Sequence, residues 1–131
     1  MNNYHKDNNA KFVPFAGYSM PINYSEGIIK EHLQVRISAG IFDVSHMGQI
    51  LISITNTNIN NLEKYIPLNL KDLVDNKSYY TFILNTNGGV IDDIMLSKIS
   101  YQSNNYFFIV YNASRKNENE NIFKKIISDY F

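Results

Sequence analysis

Two adjacent carboxylates interrupt an otherwise apolar run in Gly88-Gly89-Val90-Ile91-Asp92-Asp93-Ile94-Met95-Leu96. On a β-strand, alternation sets Asp92 with Val90, Ile94 and Leu96 on one face, and Asp93 with Ile91, Met95 and Ser97 on the other. Each acid then shares a face with hydrophobes, so the strand is expected to be covered on both sides. At least one carboxylate meets a low dielectric and needs a hydrogen-bonding or cationic partner. An acid so placed can bind a polar ligand group or steady developing positive charge. It can equally discourage edge pairing or close a salt bridge with a lysine, and the motif alone leaves both readings open.

Other chemistry-bearing residues give weaker signals. Gly88-Gly89 leads from one β-rich run into another, whereas phosphate-cradling glycines lead into a helix, so a turn is expected. The imidazoles His5, His32 and His46 stand at no metal-ligand spacing, and no metal is assigned. Ser45 beside His46 is adjacency in sequence, not a catalytic geometry. Tyr79 and Tyr80 alternate in face, so one is expected to pack and the other to present its ring and hydroxyl. With no cysteine, thiol nucleophiles, disulfides and zinc–thiolate sites are excluded within the chain.

The elements that must position these residues follow from punctuation and period. Residues 1–10 are almost devoid of apolar side chains and read as a flexible arm, with order beginning at Lys11. Phe12 to Ile22, broken by Pro14, Gly17 and Pro21, predicts an extended, turning segment. Ser25 is placed to cap a helix to Ala39 with Ile28, Ile29, Leu33 and Ile37 as its stripe. Ile41 to Val44 and Gln49 to Ile54 predict strands, and Asn58 is placed to cap a second helix that Pro67 ends. Tyr79 to Leu84 and Val90 to Ile99 predict a hairpin across Asn85 to Gly89, Tyr106 to Tyr111 a third strand, and the chain from Ser114 a helix with Ile122, Phe123, Ile126 and Ile127 inward. The fold class is α+β, a largely antiparallel sheet with flanking helices.

A length of 131 residues is the size of one ordinary domain. Equal numbers of Lys+Arg and Asp+Glu, 12 each, give no electrostatic footprint for nucleic acid or anionic membrane. No apolar run approaches the roughly 18 residues of a membrane span, and the polar start is unlike a signal-peptide core.

The segments Ala10-Lys11-Phe12-Val13-Pro14-Phe15-Ala16-Gly17-Tyr18-Ser19-Met20-Pro21 and Gly40-Ile41-Phe42-Asp43-Val44-Ser45-His46-Met47-Gly48 resemble the beginning of aminomethyltransferase, the T-protein of the glycine cleavage system. Asn87 to Asp93 and Val110-Tyr111-Asn112-Ala113-Ser114 resemble its next two motifs, in family order and spacing. The resemblance covers nearly everything from Lys11 onward. It implies residues 11–131 form the N-terminal portion of a folate-binding fold. It also implies transfer of the methylene of a lipoyl-bound aminomethyl group, carried by the partner H-protein, to tetrahydrofolate, with release of ammonia. The second acid of the family motif is the catalytic carboxylate and falls on Asp93; the resemblance then makes Asp92 the supporting or structural acid. Met47, Tyr80, Met95 and Asn112 fall where the family lines its folate cavity.

The chain departs from the family pattern at Tyr18, often Trp, and at Ser114, often Ala. It also departs in length, being about a third of a family member, and the later acid and arginines that hold the folate have no counterpart here. The expectation is therefore that the isolated chain binds tetrahydrofolate poorly and turns over little. The resemblance also admits a related folate-dependent demethylase, the folate module of a dimethylglycine or sarcosine oxidising enzyme, or a non-catalytic protein, either a folate-binding assembly factor or a remnant that serves only as an interaction module. The intact Phe42 to Gly48 segment and the absence of a flavin domain before Met1 favour the T-protein. The implied location is cytoplasmic in a prokaryote and the mitochondrial matrix in a eukaryote.

Overall fold

The computed structural model describes residues 1–127, and the chain divides into two compact units, Met1–His46 and Met47–Phe131. In the first unit, helix α1 (Asn2–Asp7) is followed by strands β1 (Lys11–Phe15) and β2 (Tyr18–Asn23), paired antiparallel, and by helix α2 (Gly27–Ile37). Ala16 and Gly17 both have positive φ, the backbone that lets a two-residue hairpin follow the twist of its strands.

Four local expectations change here. Residues 1–10, read as an arm, contain α1, whose His5 is buried. The His5 ring hydrogen-bonds the Tyr24 hydroxyl through Nδ1 at 2.7 Å and Asp43 Oδ2 through Nε2 at 2.8 Å. These partners are distant in sequence, which is why six polar residues carry no local sign of them. Ser25 does not cap α2; the N-cap is Glu26, without a side-chain cap bond. Ile41 to Val44 forms no strand, since a short run with three apolar residues around Asp43 gains nothing from extension without a ladder partner. The α2 stripe forms as a helix but is not buried: Ile29 is 77 % and Ile37 82 % exposed.

Asp43 also accepts hydrogen bonds from the Ser45 amide and hydroxyl. The His5 hydrogen bond foremost, then those from Ser45, hold its carboxyl well below the usual carboxylate range. A depressed folded-state value means stability that is present above the unfolded value, about 4, and lost as pH falls below it. The order of α1, followed by the amide chemical shifts of residues 2–7, is expected to weaken on acidification below pH ~4. In Asp43→Asn that pH dependence should flatten; an unchanged acid profile would remove the clamp from the account.

The second unit carries strands β3 (Gly48–Ser53), β4 (Ser78–Leu84), β5 (Val90–Tyr101) and β6 (Asn104–Tyr111), with helices α3 (Asn56–Leu62) and α4 (Lys116–Ile126). The sheet order is β3-β6-β5-β4, antiparallel throughout. Its inner face buries Ile50, Ile52, Ile83, Ile94, Leu96, Phe107 and Ile109 with Leu62 and Phe123 from the two helices. Each such side chain contributes roughly 1.5–3 kcal/mol by leaving water. Thr55, not Asn58, caps α3 by accepting from the Asn58 amide at 3.1 Å. Asn58 is instead buried, its side chain donating to the Ser53 carbonyl at 2.9 Å. Helix α3 ends at Leu62, ahead of Pro67.

Candidate functional site

The hairpin that presents the acids is built as its turn residues dictate. Asn85 Oδ1 accepts from the amides of Asn87 and Gly89, each at 2.9 Å, and Gly88 has φ +78°, which favours glycine. The backbone donors that might have cradled a phosphate are thus engaged in the turn itself. Ile83 pairs with Asp92 but Leu84 pairs with Val90, so Ile91 is an extra residue in β5, a β-bulge immediately before the acids.

The bulge corrects half of the alternation argument. From Asp92 onward the parity is as expected: Asp92, Ile94 and Leu96 are buried, while Asp93 and Met95 are exposed. Upstream it inverts, with Ile91 packed against the core and Val90 exposed. Within the described residues the strand is covered on one face only, and the buried acid is Asp92.

Asp92 receives three N–H donors: the Asn112 amide at 3.1 Å and the Asn119 side chain at 2.5 Å on Oδ2, and the Asn112 side chain at 2.8 Å on Oδ1. It thereby meets the start of the segment leading into α4, which Asn112 opens. No ion pair joins it to a cation among the described residues.

Asp93 stands on the outer face. Its Oδ2 accepts from the Tyr80 hydroxyl at 3.2 Å, and its Oδ1 and carbonyl accept from Asn112 Nδ2 at 2.9 and 3.2 Å. Tyr80, 63 % exposed, lies directly across the ladder from Met95, and Phe82 directly across from Asp93. The rings of Tyr80 and Phe82 meet edge to face with centroids 5.5 Å apart. Residual desolvation, then the Asp93 hydrogen bond and charge, raise the Tyr80 phenol above its ordinary pKa. An exposed carboxylate is thereby fixed beside a thioether and two aromatic rings, a surface suited to a flat heteroaromatic group bearing a protonatable nitrogen.

Of the residues singled out from sequence, Asp93, Tyr80, Met95 and Asn112 come together. Asn112 spends both amide hydrogens on the acids, leaving Oδ1 as the side-chain atom open to a ligand. Met47 precedes Gly48, which pairs with Tyr111; one step further along the same register aligns Met47 with Asn112 and Asp93. Its side chain is partly buried. Phe82 and Asn119 escaped the sequence reading, although each had a signal: Phe82 is two residues from Tyr80, and Asn119 precedes Ile122, Phe123 and Ile126 at helical spacing. Tyr79 packs against the core, as one of the tyrosine pair was expected to.

The first unit holds a cavity of about 930 Å³ lined by Tyr24, Ile28, Glu31, His32 and Phe42 among others. His46 there stands edge-on to Phe15 and Tyr18, its Nδ1 buried without a hydrogen-bond partner among the described residues. Among the described residues no three His, Asp or Glu side chains are grouped to hold a metal ion, and no helix is long and apolar enough to cross a membrane.

Comparison with known proteins gives one consistent answer. A family profile described as GCVT N-terminal domain matches residues 1–130. An aminomethyltransferase of Caldanaerobacter subterraneus subsp. tengcongensis is 46% identical over 106 residues, 81% of this chain and 27% of the relative. A mitochondrial aminomethyltransferase of Dictyostelium discoideum is 38% identical over 113 residues, 86% of this chain and 27% of the relative. The crystal structure of glycine cleavage system aminomethyltransferase T from Bartonella henselae superposes with a TM-score of 0.85 at 30% identity, covering 98% of this chain and 35% of that one. The chain thus spans little more than a quarter of the length of the curated relatives it matches.

Proposed function

Because the chain belongs to the GCVT N-terminal domain family, we propose that it supplies the carboxylate-bearing wall of a tetrahydrofolate-dependent aminomethyltransferase. The observation that carries this reading is the exposed Asp93 carboxylate, held by Tyr80 and Asn112 beside Met95 and Phe82. The folate rings lie against Tyr80, Phe82 and Met95, and Asn112 Oδ1 accepts from a ring N–H. Asp93 steadies the cationic character that develops as the methylene leaves the lipoyl-bound aminomethyl group of H-protein for the folate nitrogens. Fixed in advance on a strand, the carboxylate needs no reorganisation as charge appears. Ammonia and dihydrolipoyl protein are the other products.

Alone, the 131-residue chain binds tetrahydrofolate weakly and turns over little, because one wall encloses too little of a ligand of that size. The decisive construction joins this chain to the carboxy-terminal remainder of the Caldanaerobacter aminomethyltransferase. That hybrid should release ammonia from aminomethyl-loaded H-protein only when tetrahydrofolate is present. A folded hybrid whose release ignores folate would overturn the proposal.

A further inference from the structure

Asn119 is fully buried, and its amide is satisfied on one side only: Nδ2 donates to Asp92 Oδ2 at 2.5 Å, while Oδ1 is buried without a hydrogen-bond partner among the described residues. Leaving a buried acceptor unpaired costs about 1–3 kcal/mol, so a side chain needed only for packing on this apolar stripe would be better served by leucine. The carboxylate fixes which way the amide points, because a reversed amide would set Oδ1 against Asp92 Oδ2.

The χ2 torsion of an aspartate is broad, so its carboxylate turns freely unless both oxygens are held. Asp92 Oδ2 is held by Asn119 and the Asn112 amide, and Oδ1 by the Asn112 side chain, whose Nδ2 also donates to Asp93 Oδ1 at 2.9 Å. A chain of contacts therefore runs from α4 through Asp92 and Asn112 to Asp93. We infer that Asn119 is a positioning residue: by pinning the Asp92 carboxylate it sets the Asn112 amide, and through it the exposed Asp93. The inference rests on the reading of Asp93 as the acting carboxylate.

The test is side-chain amide hydrogen exchange at Asn112, followed by NMR on the 131-residue chain without ligand. Asn119→Leu keeps the branched shape and the number of heavy atoms and removes the donor. Exchange at Asn112 should quicken at least tenfold while backbone amides of Ile52 and Leu96 in the core exchange as before; general loosening would speed all of them. In an Asp92→Asn background the effect of Asn119→Leu should largely vanish, since residues acting through a shared partner are not additive. Exchange at Asn112 within twofold of the parent, or strictly additive effects, would overturn the inference. Where Asn119→Leu does not fold, Asn119→Ser, with a shorter donor, should give an intermediate rate, and a parent-like rate there overturns it too. The ammonia assay on the hybrid transferase separates the two readings. Quickened exchange in the variant, together with ammonia release by the hybrid that ignores tetrahydrofolate, upholds the brace and sinks the folate assignment.

Discussion

Asp93→Asn is expected to lower folate-dependent ammonia release by the hybrid transferase at least ~10²-fold, the scale of losing one preorganised partner of transition-state charge. The substitution keeps the shape and removes the charge, and the NH₂ group it brings can face the Tyr80 hydroxyl, which accepts as well as donates. Asp93 is exposed, so stability should move by no more than about 0.5 kcal/mol. The neighbouring change separates the two acids. Asp92 is buried and faces three N–H donors, so Asp92→Asn turns an NH₂ group toward them. Mismatched buried donors cost about 1–3 kcal/mol, which should appear in the melting temperature. Steady-state rates and thermal melts of both variants therefore give opposite patterns, activity lost at 93 and stability lost at 92. Full turnover in Asp93→Asn, or a larger catalytic loss at Asp92 with the fold intact, would reverse the roles.

The largest effect on stability is expected from Gly48→Ala. A Cβ there would lie 1.9 Å from Tyr111 Cε2 and 2.4 Å from Cδ2 and Cζ of the same ring. Tyr111 cannot step aside: it is buried, its ring centroid is 5.7 Å from that of Phe123, and burial, with Glu120 adding, pushes its phenol up to about 12. Overpacking a close-packed site costs about 1–3 kcal/mol and occasionally more, and a clash of one atom with a whole ring edge belongs at or beyond the upper end. At roughly 4–8 °C per kcal/mol for a unit of this size, the melting temperature should fall by on the order of 15 °C. Adding Tyr111→Leu should cost less in the Gly48→Ala background than alone, because it vacates the clashing volume. A Gly48→Ala chain melting within ~2 °C of the parent would show that the ring is not the obstacle.

What the sequence disclosed divides along physical lines. Strand parity past Asp92, the hairpin and the inward stripe of α4 were legible because period and turn chemistry are local. The bulge at Ile91 was not, since two-residue alternation has no way to announce one extra residue. The His5 clamp and the Asn119 contact were missed for another reason: both depend on partners far along the chain, and their own neighbourhoods, Asn2 to Asp7 and Asn117 to Asn121, read as solvated polar runs. Ile41, Phe42 and Val44 and the α2 stripe carry the residue types of buried elements, yet apolarity states a preference for cover without supplying it. The sequence divided the acids correctly between two faces but could not say that Asn112 would touch both.

The extra residue at Ile91 also gives the hairpin a mechanical property. Because the mismatch is absorbed upstream of Asp92, the pairing of Asp92 and Asp93 with Ile83 and Phe82, and of Ile94 with Tyr111, runs on in unbroken register. The bulge thus acts as an expansion joint. Changes of length in the Asn85 to Gly89 turn can be taken up there, and the acid pair keeps its address on the sheet whatever becomes of the loop that leads into it.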